Sequence, residues 1–390
     1  MLRERRVLTL FSFGNWIATG AASLSVWPVL TISRKRLFEL ALGCLLLGSY
    51  TTNVWGQTYR TWDDGHPSDD WSQKNNWSNN NLPGGNTEVA RFSNGNAGSS
   101  TIDINSNQRT GGMLFDANLT IDITFLRASS ELSIRNGGAN YGITNNSDQT
   151  ITFENQMGIE AAMTWATTNA SGGGLDFQEQ VDTDGNTLTF QTTHASNFID
   201  VSGPIIDAGG IIKTGAGTLT LSGTNTYSGG TTISAGVLQI GDAGTTGSVT
   251  GNITNNAALI FDRSNSYTYS GVISGSGSVE QAGTGTTTLS GANTYTGTTT
   301  ISDGTLQLGA ANVLSDSTAV TVGASGTFDL NNNSDTVGSI AGSGSVTLGS
   351  GTLTAGGDNS STSFSGVISE TGGLTKTGSG TLTLSGTNTY

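Results

Sequence analysis

The sequence predicts an all-β chain wound as a parallel β-solenoid (a β-helix) from degenerate repeats. Composition is the first reason: of 390 residues 57 are Gly, 4 are Pro, and only 11% are charged, against roughly 25% charged in an ordinary globular domain. The second is a two-residue alternation of apolar with Thr, Ser or Gln side chains over short stretches. Gly-Thr, Ser-Gly and Asn-Thr pairs bracket those stretches, as turns bracket short strands. The third is a gapless internal repeat. No window of about 11 residues in the body sustains a helical period. The same numbers exclude several classes of function. One Cys excludes a disulfide scaffold or a Cys-based zinc site, and two His, His66 and His194, leave little for His-ligand metal chemistry. A net charge of -14 argues against a nucleic-acid partner.

The head of the chain differs from the body. Residues 1–56 carry six Lys/Arg and two Asp/Glu, whereas 57–390 carry nine and 27. A basic, apolar head on an acidic, polar body predicts an export segment at 1–56. Ser33-Arg34-Lys35-Arg36 reads as its basic region, 37–50 as the apolar core with Glu39 inside it, and 51–56 as the polar end. Val54 and Gly56 place cleavage after Gly56. The apolar core is shorter than the ~20 residues of a spanning helix. Cys44 follows Leu42-Gly43, but Ala41 and the apolar Leu45-Leu46-Leu47 argue against lipidation. Upstream, 7–32 is a second uncharged stretch with Gly14, Gly20 and Pro28. A signal extension, a membrane helix and an early start site all fit it.

Residues 57–85 are Trp-rich and read as an N-terminal cap, since the open end of a solenoid needs covering. Burial of Trp62, Trp71 and Trp77 beneath the first coil is preferred over a sugar-stacking surface. Residues 86–200 read as degenerate coils built on four similar pieces: 100–104, 119–123, 149–153 and 186–190. Residues 201–390 hold three units that align without a gap, opening at Val201, Tyr269 and Phe364. Each opener lies 20 residues before a matching Leu: Leu221, Leu289 and Leu384. Spacers between openers differ, 68 residues and then 95. Leu219, Leu221, Leu238 and Ile240 are expected to point inward, with Thr218, Thr220 and Gln239 outward. A sandwich or barrel of short strands is the competing architecture. The few inward positions per segment and the repeat's recurrence with insertions favour stacked coils. At about 20 residues per coil and ~4.8 Å per rung, residues 57–390 would give roughly 17 rungs and a rod on the order of 80 Å long.

No residue stands out as catalytic, cofactor-binding or metal-binding. Asp182-Thr183-Asp184-Gly185-Asn186 resembles the start of a calcium loop, but Thr187 and Thr193 occupy the positions that need Gly and Glu. A β-turn before the strand at Leu188 explains it better. Asp63-Asp64 with Asp69-Asp70 reads as a solvated cap loop. His194 has no acidic partner at a recognised spacing, and no Gly-x-Ser-x-Gly elbow is present. Ser171-Gly172-Gly173-Gly174 lacks the following helix and Lys-Ser/Thr of a phosphate cradle, which leaves a turn. Tyr227, Tyr295 and Tyr390 recur at one register and suit packing between coils.

The segments GTLTLSGTNTYSGGTTISAGVLQIG and GTTTLSGANTYTGTTTISDGTLQLG resemble the autotransporter-associated beta-strand repeat, also called the passenger-associated transport repeat. The resemblance covers about 201–390, the last copy being interrupted at Tyr390, and 61–83 is similar to the Trp-rich start of such proteins. It implies a right-handed parallel β-helix that is exported and not an enzyme. It further implies a passenger with a structural or adhesive role at the cell surface or outer membrane, or secreted, and needing no cofactor. Its partners would be the outer-membrane translocation machinery and a surface glycan or another cell. The expectation from the interrupted last unit is a fragment of a longer passenger. The rival expectation is a β-helical polysaccharide-degrading enzyme, a lyase or glycoside hydrolase. An acidic cluster beside a cleft built by the spacers at 242–268 or 310–363 would mark it.

Overall fold

The computed structural model describes residues 58–62, 71–73, 76–77, 82–83, 88–93, 101–104, 106–127, 130–135 and 142–390. The expected export segment at 1–56, His66 and the four Asp at 63, 64, 69 and 70 lie outside the described residues. The compact unit is Gly56–Tyr390. Its described residues contain no α-helix, and they form stacked parallel coils, a β-solenoid of about 13 turns.

Each coil visits three faces in turn. The first face runs from Thr58–Thr61 through Glu88–Phe92 and Ile211–Thr214 to Ile273–Ser274. The second includes Thr150–Phe153, Gly174–Phe177, Phe198–Val201, Thr218–Leu221 and Val237–Ile240, each strand hydrogen-bonded in parallel to the next. The third begins with Gln108–Thr110, Glu131–Ile134, Gln156–Ile159 and Val181–Asp182. Side chains alternate in and out because a strand's period is two. Thr218–Leu221 therefore buries Leu219 and Leu221 and leaves its Thr half-buried outside, and Val237–Ile240 buries Leu238 and Ile240 in the same way.

The expected coil length holds in the second half of the chain. Val201 pairs with Leu221, Tyr269 with Leu289 and Phe364 with Leu384. Each repeat's opener and its matching Leu are thus neighbours on consecutive coils. Earlier coils are longer: Met113 pairs with Ile143, and Phe125 with Phe153. The expected 17 rungs are too many for that reason, and 13 turns at ~4.8 Å give a rod of about 60 Å.

Two other expectations are corrected. Of the four similar pieces, the one at 119–123 forms a bend, and its strand starts only at Ile123 (Ile123–Arg127). The piece at 186–190 enters Leu188–Thr192 on the first face, away from Thr101–Ile104 and Thr150–Phe153 on the second. Alternation fits a corner or another face as well as it fits the expected strand, so sequence similarity did not fix position. The spacers at 242–268 and 310–363 are not protruding loops. They contain strands such as Ile253–Asn255, Ala258–Phe261, Ala319–Asp329 and Thr352–Ala355, which are coils of the same solenoid without the motif.

The interior changes character along the rod. Before Val201 it is aromatic. Phe125 pairs with Phe153 and Phe153 with Phe177, and the rings stack at 4.9 Å with planes 4° and 6° apart. That separation is the spacing of neighbouring strands, since in-register coils set identical side chains one strand apart. Beyond Val201 the buried ladder is Val201, Leu221, Ile240 and Phe261.

Candidate functional site

Among the described residues the repeat unit is an arrangement of side chains that recurs, and its Asn bonds coil to coil. In the first unit Asn225 is buried; its Oδ1 accepts the Ile205 N–H at 2.7 Å, and its Nδ2 donates to the Gly223 and Ser248 carbonyls. Asn293 repeats this, accepting from Ile273 N–H at 2.8 Å and donating to the Val313 carbonyl at 3.0 Å. Asn388 accepts from Ile368 N–H at 2.9 Å and donates to Gly386. In all three the accepted N–H lies 20 residues earlier, directly across the coil boundary. Two residues on, the buried Tyr227 and Tyr295 hydroxyls each meet a Thr hydroxyl at 2.6 Å, on Thr231 and Thr299. Burial raises both phenols above the usual tyrosine range.

A third shared position sits near the end of a strand and sends its polar group to the corner that follows. Lys213 is fully buried, and its Nζ donates to the carbonyls of Thr214 and Gly215 at 2.8 Å and of Ala235 at 3.2 Å. Burial pushes its ammonium down to about 8. Gln281 takes the same place in the second unit, with Nε2 2.6 Å from the Gly283 carbonyl. Lys376 takes it in the third, donating to Thr377 and Gly378. The corner needs Gly: Gly215 has φ of 74°, and a Cβ there would lie 2.2 Å from the Thr192 carbonyl oxygen.

The units are not aligned on one face. TLTL of the first unit, at Thr218–Leu221, lies on the second face. Its counterpart Thr286–Leu289 pairs with Tyr267–Tyr269, on the third face. Leu382–Leu384 returns to the second, reached in register through Thr362–Phe364. Spacers of 68 and 95 residues therefore amount to three turns plus one face, then four turns plus two faces. The first and third units therefore share a face, and the second keeps the same inward packing while displaying its outward residues on a different one.

The sequence candidates for chemistry resolve as follows. Asn186 N–H bonds the Thr183 carbonyl at 2.8 Å, with Asp184 and Gly185 at φ of 46° and 73°. Positive φ at both central residues is the signature of a type I′ turn. His194 and Asn197 also close a turn, Asn197 N–H to His194 carbonyl at 3.0 Å. Gly172 and Gly173 have φ of 120° and 114° beside a bond from Gly172 N–H to Asn169 carbonyl. Trp62, Trp71 and Trp77 are fully buried, with indole centroids 5.1 and 4.7 Å apart in edge-to-face pairs. Among the described residues no three His, Cys, Asp or Glu side chains converge on a metal position.

Two shallow grooves cross the coils. One of about 390 Å³ lies on the third face, floored by Ser133 and Gly158 and edged by Arg109, Glu131, Glu160, Asp182 and Asp184. Glu160 is ion-paired to Arg135 at 2.8 Å and Arg109 at 3.4 Å, and Glu131 accepts from Ser133 at 2.8 Å. The other, about 470 Å³, is lined by Ser, Thr, Asn and Gly between Ser228 and Thr254 and holds no charge. Sequence reasoning missed the Asn staple and the Lys213 corner, taking Asn-Thr pairs as turn chemistry alone. The available signal was Asn at one register in all three units.

The passenger-associated-transport-repeat family matches residues 211–240, 279–308 and 374–390. This chain carries passenger-associated transport repeats. The matched segments contain the Lys213, Gln281 and Lys376 positions and the staple residues Asn225, Asn293 and Asn388. An 87-residue stretch, 22% of this chain, is 40% identical to the "Adhesin BmaC autotransporter" of Brucella suis biovar 1 (strain 1330). That stretch covers 2% of the relative's length. No solved structure matches.

Proposed function

We propose that the chain is part of an autotransporter-type passenger, exported to the cell surface, to the outer membrane or beyond it, where it serves a structural or adhesive role without catalysis. The observation that carries this reading is that the second repeat, turned by one face, keeps the inward packing and the Asn staple of the first. A ligand array would keep its outward residues on one face, whereas a folding unit needs only its inward contacts. Each repeat supplies strands and an Asn staple that bond the adjacent coil, and a donor that ties its own corner, so coils add one at a time as chain emerges. The body has no Cys and few charges, which suits passage in extended form. Ordering each coil outside would oppose backward movement, and the outer-membrane translocation machinery is the partner this requires. A surface glycan or another cell is the partner that an adhesive role implies.

The test is surface display of the chain joined to an outer-membrane β-barrel translocator, read by protease accessibility on intact cells. Asn225→Ala with Asn293→Ala should lower display severalfold, since each leaves buried backbone groups unpaired at a cost of about 1–3 kcal/mol. Display unchanged by both substitutions would remove the support for a folding-driven role. The enzyme reading rests on the third-face groove. Of its four carboxylates, Glu160 and Glu131 are committed to Arg and Ser partners and Asp182 accepts the Asp184 N–H, which suits a structural network better than an acid–base pair.

A further inference from the structure

Outward residues of the first face form one column over six consecutive coils. Thr164 is in register with Thr189, Thr189 with Ile212, Ile212 with Thr232, Thr232 with Thr254, and Thr254 with Ser274. Neither this column nor the outward positions beside it on these strands carry a charge. The charged side chains Asp242, Asp262 and Arg263 of the later coils follow the second-face strands Val237–Ile240 and Ala258–Phe261. The other faces differ. On the second, Asp176 and Asp200 point outward as in-register neighbours. On the third, outward polar groups bond one another: Thr288 Oγ1 donates to Gln307 at 3.0 Å, and Asp329 accepts from Gln307 at 2.8 Å and from Thr347 at 3.0 Å. Among the described residues the hydroxyls of Thr164, Thr189, Thr232 and Thr254 have no such partner. The uncharged groove of about 470 Å³ lies along the same column, where Gly229, Gly230 and Gly251 present no side chain beside Thr232 and Thr254.

We infer that this uncharged first face, from Thr164 to Ser274, is a docking surface for a second copy of the chain, the two rods meeting face to face about a two-fold axis. Charge selects the face. Residues 57–390 carry nine Lys/Arg against 27 Asp/Glu, so two copies repel wherever their acidic surfaces meet. Hydroxyl chemistry selects the partner. Each Ser or Thr hydroxyl both donates and accepts, so a column of them complements itself, as a two-fold interface between identical patches requires. Ile212, the one large apolar side chain in the column, finds room in the glycine groove of the other copy. Six coils at ~4.8 Å, with about 20 Å of strand and corner, bury roughly 600 Å² per copy. That is below the ~800 Å² per partner of a standard stable interface, so pairing is weak and rises with concentration. The inference concerns the folded chain alone and does not rest on the export reading.

The experiment is sedimentation velocity on the full chain at concentrations up to about 1 mM. The mass should rise from one chain towards two. Thr232→Glu and Thr232→Lys, each in mid-column, should each weaken pairing at least about tenfold, a difference of 1.4 kcal/mol, because each sets like charges together. An equimolar mixture of the two should pair at least as well as the parent, which a misfolded variant could not do. Thr327→Glu, at an outward position of the third face, should leave pairing as it is. Weakening by Thr327→Glu equal to that by Thr232→Glu would overturn the proposal, and so would a chain that stays monomeric throughout. A monomer that takes up dextran, with new hydrogen-exchange protection at 231–233 and 253–255, would overturn it as well, since a neutral glycan would then be the occupant.

Discussion

At the scale of single residues, Lys213 is the most consequential side chain, because a buried ammonium with only carbonyl acceptors ties stability to pH. Folded, it holds its proton with a pKa of about 8, against 10.5 for an exposed lysine. Below pH 8 it is charged in both states and the cost of burying it is present in full. Between 8 and 10.5 the unfolded chain binds more protons than the folded one, so stability rises with pH across that window. The phenols of Tyr227, Tyr269 and Tyr295 act in the opposite sense, since burial raises all three. Above about pH 10 the unfolded chain loses phenolic protons first, and stability falls. Thermal melts should therefore improve from pH 8 towards 10 and worsen beyond. In Lys213→Met the rising limb should vanish while the fall above 10 remains. A rising limb of equal slope in the variant would show that another group causes it.

At the scale of the coil, much is legible in the sequence alone. The 20-residue step from opener to Leu is one coil, and Leu219, Leu221, Leu238 and Ile240 point inward as the alternation requires. The spacers are not legible as coils, because their inward positions mix Ile253, Asn255, Leu259 and Phe261 without the motif's glycine punctuation. Asn225 is visible but reads as a turn residue, since sequence does not distinguish an Asn that bonds its own turn from one that bonds the previous coil. The first coils offer a test of how far one element's packing is felt. Trp62, Trp71 and Trp77 pack on one another and on Phe92, and Trp77 Nε1 donates to the Trp71 carbonyl at 3.0 Å. Trp77→Ala removes the central indole, at about 3–5 kcal/mol for a buried Trp. Each coil contacts only its neighbours, so the loss should be local. Hydrogen exchange should speed at 88–92 and 112–115 and stay unchanged at 231–240. Uniform acceleration along the chain would mean the solenoid folds as one cooperative block.

At the scale of the whole molecule, the rotation of the second repeat by one face shows that what is preserved along the rod is register. A motif displaced by a third of a turn still works because every coil offers the next the same kind of inward surface: apolar side chains at alternate positions, with Asn, Lys or Thr at the corners. Stability should then depend on whether an edit preserves whole turns, more than on how many residues it removes. Thr231 pairs with Ile253, so deleting 231–252 removes one complete turn and joins Gly230 to Ile253. The strand Ile253–Asn255 then occupies the place of Thr231–Ile233 on the first face, and Ala258–Phe261 falls over Thr218–Leu221. That variant should keep its β circular-dichroism signal and melt cooperatively, a little below the parent. Deleting only 231–241 removes fewer residues but carries each later strand to the wrong face, setting Val249 and Gly251 against Leu219 and Leu221 in place of Leu238 and Ile240. It should lose the β signal beyond the deletion or aggregate through unpaired edges. If the shorter deletion melted like the longer one, register would not be the organising constraint, and the recurrence of the repeats at fractional turns would need a different explanation.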